Sequence, residues 1–529
     1  MVCCSPLNGP APGTNVHARR LTAKAEETLV LEAKTQDLRA RYGEYADLKA
    51  SLAVLSWDQE VYMPPKGAAA RGQQLATLSG LAHRLLTAPE MGALLHELDE
   101  QRDRLAPDER AFVAEALYDY TRAKQLPESF VRRFAEEQSK AYEAWTHARR
   151  ASDFAAFRPH LETMVDLLRQ KADYHGYADT PYDALLEDYE RGMTTAHLRA
   201  LFEELAPRQQ DLVSRAAMPD RMAECAWLDQ EWPEAGQWAF TMDVLRATGY
   251  DLDAGRQDKS AHPFTTNFGI RDVRITTRFN LRDPFSALMG SLHEAGHALY
   301  EQGFPPEDER TVLAEAPSLG IHESQSRLWE NLIGRSLPFW RWCAPLLRRH
   351  FPAQAHGIES EAVYRAVNRV QPSLIRVEAD ECTYNLHIIL RFEIETALVE
   401  RHIEARDVPA LWKEKLKAYL GLDVPDDAHG CLQDIHWSHG SMGYFPTYAL
   451  GNLYAAQLFE KVREDIPDLW SHVASGDFAP LLDWLREQVH RIGRRKRAVE
   501  IVRDATGREP DPQAFLRYLE HKFGGLQAL

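Results

Sequence analysis

The stretch SLHEAGHALYEQGF, residues 291–304, carries two imidazoles and a carboxylate close together: His293, Glu294 and His297. Residues four apart share one face of a helix, so both imidazoles reach a single cation. Glu294 stands beside them, where its carboxylate meets an attacking water rather than the cation. That is the physical content of H-E-x-x-H: two ligands and a general base on one rigid rod. The chemistry it predicts is metal-assisted hydrolysis. Such a pattern also arises by chance in large proteins, so the rest of the chain must supply a third ligand, a substrate clamp and a transition-state donor.

A third ligand is expected from a neighbouring helix. The segment IHESQSRLWENLIGR, residues 321–335, is amphipathic and opens with His322 and Glu323 side by side. Glu323 follows His297 by 26 residues, enough for a turn and an antiparallel helix. A set of two His and one Glu leaves a position open for water, the catalytic rather than the structural arrangement. His322 and Glu330 compete for this role, since a first-turn Glu also complements the helix dipole.

These side chains need elements to hold them. Asp283-Pro284 is a helix start, with Asp as N-cap and Pro at the first helical position, and Gly303 is a stop signal. Just upstream, residues 263–282, PFTTNFGIRDVRITTRFNLR, are rich in Thr, Phe, Ile and Val and alternate at period two. This predicts a short hairpin or small sheet, whose edge offers an extended peptide a place to lie. From about residue 20 to 215, apolar residues recur at three- and four-residue spacing, with Pro64-Pro65, Pro107 and Pro127 at helix boundaries. Helical patterns resume after the sheet and run to the C-terminus. No repeat or low-complexity linker interrupts them. The expectation is a mainly α fold: residues 1–22 as a disordered tail, and 23–529 as one helical domain with a small β-sheet beside the metal-binding helix.

Bulk properties narrow the function. The 529 residues are 44% hydrophobic and 27% charged, as in a globular protein with a sizeable core. A net charge of −17 argues against a nucleic-acid partner. The cysteines (Cys3, Cys4, Cys225, Cys343, Cys382, Cys431) form no C-x-x-C, so reduced thiols in the cytoplasm are expected. No run of 18 apolar residues predicts a membrane span, and the N-terminus lacks a secretory core. There is no G-x-S-x-G elbow and no phosphate-binding G-x-x-x-x-G-K-[ST].

Several ordered motifs together resemble one family, the thermostable, Taq-type metallocarboxypeptidases. They are HPF at 262–264, DVRIT at 272–276, HEAGH at 293–297, HESQ at 322–325, IRVEAD at 375–380 and GCLQDIHW at 430–437. Further likeness lies in SWDQEVYMPP (56–65), LLEDYERGMTT (185–195) and HGSMGYFPTYALGN (439–452), so it spans roughly residues 30 to 525. The resemblance implies a helical fold with a deep active-site groove, usually a homodimer. It also implies one divalent cation per chain, Zn²⁺ or Co²⁺, and removal of single amino acids from peptides with a free C-terminus. Carried over by motif, His293, His297 and Glu323 are the metal ligands and Glu294 is the catalytic acid/base.

The remaining motifs are then read as substrate machinery. Arg376 is the candidate anchor for a terminal carboxylate, because a guanidinium binds both oxygens; its alternative is an ion pair with Glu378, Asp380 or Glu381. Tyr444 is the first choice as oxyanion donor, with Tyr448, His436 and His439 as alternatives; Tyr448 and His436 are also assigned to substrate binding. Gln433, Asp434 and His436 are expected to hold a ligand imidazole or the substrate backbone. Asp272 and Arg274 share a strand face and predict an internal salt bridge. The rivals are a zinc endo-oligopeptidase, a catalytically silent peptide-binding protein of the same fold, and a di-iron bundle, for which the required pair of E-x-x-H motifs is absent.

Overall fold

The computed structural model describes residues 14–216 and 225–528. A 48-residue helix, Thr14–Val61, opens the chain and packs against Ala68–Leu86 across the Pro64-Pro65 turn. Residues 14–22, read from sequence as tail, therefore include the start of this helix, while 1–13 lie outside the described residues. Helices Pro107–Gln125 and Glu128–Ala151 begin at or beside Pro107 and Pro127, where a ring that fixes φ and lacks an N–H costs a helix nothing.

The sheet has three strands: β1 (Gly255–Lys259), β2 (Thr265–Asn267) and β3 (Val273–Thr277), in the order β1-β3-β2. β2 and β3 form the expected antiparallel hairpin, but β1 pairs parallel to β3 from outside the expected segment. Its sequence, GRQDK, has no apolar alternation to read. The HPF turn is tied to β3 through Thr276, whose hydroxyl accepts from the Phe264 N–H at 2.9 Å and from Ser260 Oγ at 2.7 Å.

The helix Pro284–Glu301 follows, capped by Asp283, whose carboxylate accepts from the N–H groups of Phe285 (2.9 Å) and Ser286 (3.3 Å). It ends two residues before Gly303. The helix Leu319–Arg327 then runs into a π-helical turn, Leu328–Ile333. Both segments feed two large apolar clusters. Leu288, Leu292 and Leu328 belong to one, Tyr300 and Ile321 to the other. The polar residues between them thus sit at a seam, where burial on both sides holds the rods still. Helices Tyr384–Val399 and Phe445–Asp465 complete the surroundings.

Candidate metal centre and substrate groove

His293, His297 and Glu323 converge, their ligand atoms all lying within 4.8 Å of one another. Glu323 Oε2 is 3.6 Å from His293 Nε2 and 3.4 Å from His297 Nε2. Two donors about 2.1 Å from a tetrahedral cation stand roughly 3.4 Å apart, so the spacing fits a zinc-sized ion. The second nitrogens are occupied as such a site requires. His293 Nδ1 bonds Glu330 Oε2 (2.9 Å) and His297 Nδ1 bonds the His322 carbonyl (3.1 Å), leaving both Nε2 atoms facing Glu323. The other Glu323 oxygen accepts from Arg327 Nε at 2.7 Å, and Arg327 also reaches Glu330 (3.3 Å).

Of the rivals for the third ligand, Glu330 orients an imidazole, and His322 turns its Nε2 to Glu301 (2.7 Å). Arg327 was not singled out from sequence; its only signal is its place between Glu323 and Glu330 on one helical face. The helices touch closely enough that a Cβ on Gly296 would meet the Gln325 carbonyl at 2.6 Å. A Cβ on Gly451 would meet Glu323 Cγ at 2.5 Å, so that glycine makes room for the carboxylate.

Electrostatics follow from burial and charge. Burial holds His297 down to about 3, so its imidazole is neutral and able to ligate. For His293, burial is outweighed by Glu323 and Glu330, and its pKa is raised. Burial likewise opposes ionisation of Glu323, but Arg327 and His293 overcome it and hold the carboxyl well below its usual range. Glu294 goes the other way: burial raises it, against the pull of His293 and a hydrogen bond from Thr265 Oγ1 to Oε2 (2.6 Å). Thr265 lies on β2, so the edge strand also aims the candidate base.

Beyond Glu323, the structure gathers the other sequence-derived residues around Arg376. Its partner is neither Glu378, Asp380 nor Glu381. Arg376 Nε and Nη2 donate to Asp434 Oδ1 (3.0 and 2.8 Å), and Nη1 donates to the Tyr384 hydroxyl (2.9 Å). Arg391, hidden in the apolar pattern of its helix, takes the other Asp434 oxygen at 2.7 Å. Gln433 accepts from Arg376 N (2.9 Å) and Arg391 Nη2 (2.8 Å). Gln433 and Asp434 therefore brace two guanidiniums rather than a ligand imidazole. Two buried cations share one carboxylate, leaving a positive excess where an anion is expected.

The Tyr444 and Tyr448 rings lie 5.2 Å apart, tilted at 59°, with Arg376 5.1 Å over the Tyr448 ring. Burial, reinforced by Glu323, pushes Tyr444 up to about 12, so it remains a donor. His436 is held by burial at about 3; its Nε2 faces Tyr448 OH at 3.4 Å and its Nδ1 is buried without a partner. His439 lies farther out, its carbonyl accepting from Gln138. Asp272 and Arg274 form the expected salt bridge (2.8 Å), with the guanidinium 4.5 Å over Trp57.

Two buried carboxylates secure the scaffold and escaped sequence reading. Glu395 accepts from Tyr182 OH, Trp437 Nε1 and Gly443 N, fixing the loop that carries His436 and Tyr444. Glu190 accepts from Gly320 N (3.0 Å) and Tyr454 OH (3.0 Å), anchoring the start of the Glu323 helix. Burial pushes Glu190 up to about 7 from 4.5. Between those values the unfolded chain has released this proton and the folded chain keeps it, so stability falls as pH rises through the window. Glu190→Gln is expected to remove that loss, gaining on the parent by about 3 kcal/mol between pH 4 and 8. Denaturant melts across that range check it; parallel curves would refute it.

Comparison with known proteins follows the same lines. The family described as carboxypeptidase Taq (M32) metallopeptidase matches residues 37–523. Thermostable carboxypeptidase 1 of Thermus thermophilus is 42% identical over 508 residues, covering 94% of this chain and 99% of that one. Carboxypeptidase 1 of Bacillus subtilis is 38% identical, covering 93% and 98%. The crystal structure of an M32 carboxypeptidase from Deinococcus radiodurans superposes with a TM-score of 0.91 at 40% identity, over 94% of this chain and all of that one.

Proposed function

The chain belongs to the carboxypeptidase Taq (M32) metallopeptidase family, and on that premise we propose how its residues carry out the hydrolysis. It is a metal-dependent carboxypeptidase acting on peptides. The observation that carries the site assignment is the convergence of His293, His297 and Glu323 beside Glu294. The donor set and its spacing fit Zn²⁺ first and Co²⁺ second. His293, His297 and Glu323 would hold a divalent cation, which would polarise a scissile carbonyl and lower the pKa of a bound water toward neutrality.

The chain's own residues do the rest. Arg376 fixes the substrate's terminal carboxylate, with Asp434 setting its fork. Upstream residues run along β2, whose outer edge has no strand partner among the described residues. Glu294 takes the proton of the attacking water at its carboxylate and returns it to the leaving nitrogen. Tyr444, supported by Tyr448, donates to the oxyanion, while His436 offers its unpartnered Nδ1 to the substrate.

Metal analysis tests the ligand set: purified parent is expected to hold one divalent ion per chain, and Glu323→Ala far less. Full occupancy in that variant would move the third ligand elsewhere. The quaternary proposal is a symmetric homodimer, so light scattering should return twice the chain mass; a concentration-independent monomer would refute it. A cytoplasmic location is supported by three buried cysteines that carry free thiols, Cys343, Cys382 and Cys431. No described helix is long and apolar enough to cross a membrane.

A further inference from the structure

Behind the π-helical turn lies a second cavity of about 440 Å³, sharing no wall with the metal centre. Leu332, Tyr364, Phe459 and Trp470 contribute apolar lining, and Arg463, Arg517 and Lys522 contribute cationic lining. The carboxylate lining it, Glu460, is gripped by Arg517 (2.8 Å through each oxygen) and Arg508 (2.9 Å). Lys522 is buried and donates to Glu381 (2.5 Å) and Tyr518 OH (2.9 Å). Arg463 is exposed and lies 5.7 Å over the Trp470 ring, with no carboxylate partner among the described residues. The neighbouring acids Glu464 and Asp465 pair with Lys461 instead. Around the cavity, Arg463, Arg508, Arg517 and Lys522 between them hydrogen-bond to just two carboxylates among the described residues, Glu460 and Glu381, with Asp511 also acting on Arg517. Cations thus still outnumber the acids that face them, in a chain of net charge −17.

An apolar lining together with a guanidinium that has no carboxylate partner among the described residues, Arg463, selects one chemical class: a small carboxylate with an aromatic or branched body. The cavity is also wired to the catalytic centre. The Asn331 carbonyl accepts from Tyr518 OH (3.2 Å) and Lys522 Nζ (3.4 Å), and the residue before it, Glu330, orients His293. Glu381, which accepts from Lys522, lies five residues after Arg376. We propose that this cavity is a regulatory site for an apolar carboxylate, which draws on Lys522 and Tyr518 and lowers turnover through the π-helical turn.

The test uses the metal-loaded enzyme with 3-phenylpropionate as probe. Binding is read as the part of the tryptophan fluorescence change that Trp470→Phe abolishes, and activity by steady-state kinetics. The probe is expected to lower kcat about fivefold with KM unchanged. Arg463→Glu should match the parent without probe, yet need about tenfold more of it for both effects. Arg376→Ala should keep the fluorescence response, separating this cavity from the active-site anchor. Phenylalanine acting like the probe would mark the reaction's own product as the ligand. Action by the propionate alone would mark an unrelated acid; either result supports the site. The proposal is overturned by purely competitive inhibition of equal strength in parent and Arg463→Glu, by an equal response to 2-phenylethylamine, or by no response at millimolar probe. A changed sedimentation mass in Arg463→Glu would also overturn it, making this face a contact between copies.

Discussion

Glu294→Gln is expected to lower kcat by about 10²–10⁴-fold while metal content stays at one per chain. The substitution changes almost nothing but proton affinity. The amide keeps the volume of a side chain that is 6% exposed, and its oxygen still accepts from Thr265 Oγ1. The ligand nitrogens of His293 and His297 face Glu323, not Glu294, so the cation's donors are untouched. What the amide cannot do is take a proton from water and return it to the leaving amine. The loss should therefore fall on kcat rather than KM, as for a group acting only in the transition state. Metal analysis, a thermal melt and single-turnover kinetics on one peptide separate the outcomes. Near-parent kcat would remove Glu294 from the chemistry; a loss of metal would make it a structural support for the ligands.

The contrast between Glu294 and Arg391 shows what was legible in the chain. The residues of HEAGH act at a spacing set by the helix itself, so one line of sequence contains both the ligands and the base. Glu323 needed a second helix but lay close by, and the rivals His322 and Glu330 could be separated only by seeing which atom each imidazole offers. Arg391 sits in an apolar helix, 43 residues from its partner Asp434. No local pattern links them, and a buried guanidinium gives no periodic signal. Glu190 and Glu395 are harder still, since a single acid in a helical region reads as a solvated surface until its three-dimensional donors appear. β1 escaped for a related reason: its pairing with β3 holds buried Gln257 and Asp258 rather than an apolar face. Contacts set by helix pitch were readable; contacts set by the closing of distant segments were not.

Arg376 carries the second large effect, because removing one residue from a chain end requires measuring from the free carboxylate. Its surroundings sharpen the expectation. Asp434 alone faces two guanidiniums in a buried setting, so an incoming carboxylate completes the charge balance instead of adding an unpaired ion. Loss of such a desolvated pair costs about 2–5 kcal/mol, so Arg376→Ala should cut kcat/KM by about thirty- to several-thousand-fold. Because Asp434 keeps Arg391 at 2.7 Å, the variant should fold and bind metal normally. A C-terminally amidated peptide lacks the same charge and should be a comparably poor substrate for the parent. The two defects share one interaction, so amidation should cost the Arg376→Ala variant little more. Arg376→Lys should recover only part of the activity, since an ammonium supplies charge but not the two-pronged fork. Product analysis on matched acid and amide peptides decides the matter. If the parent cleaves both equally, the substrate's end is not being read, the enzyme is an endo-oligopeptidase, and Arg376 serves only to pair with Asp434.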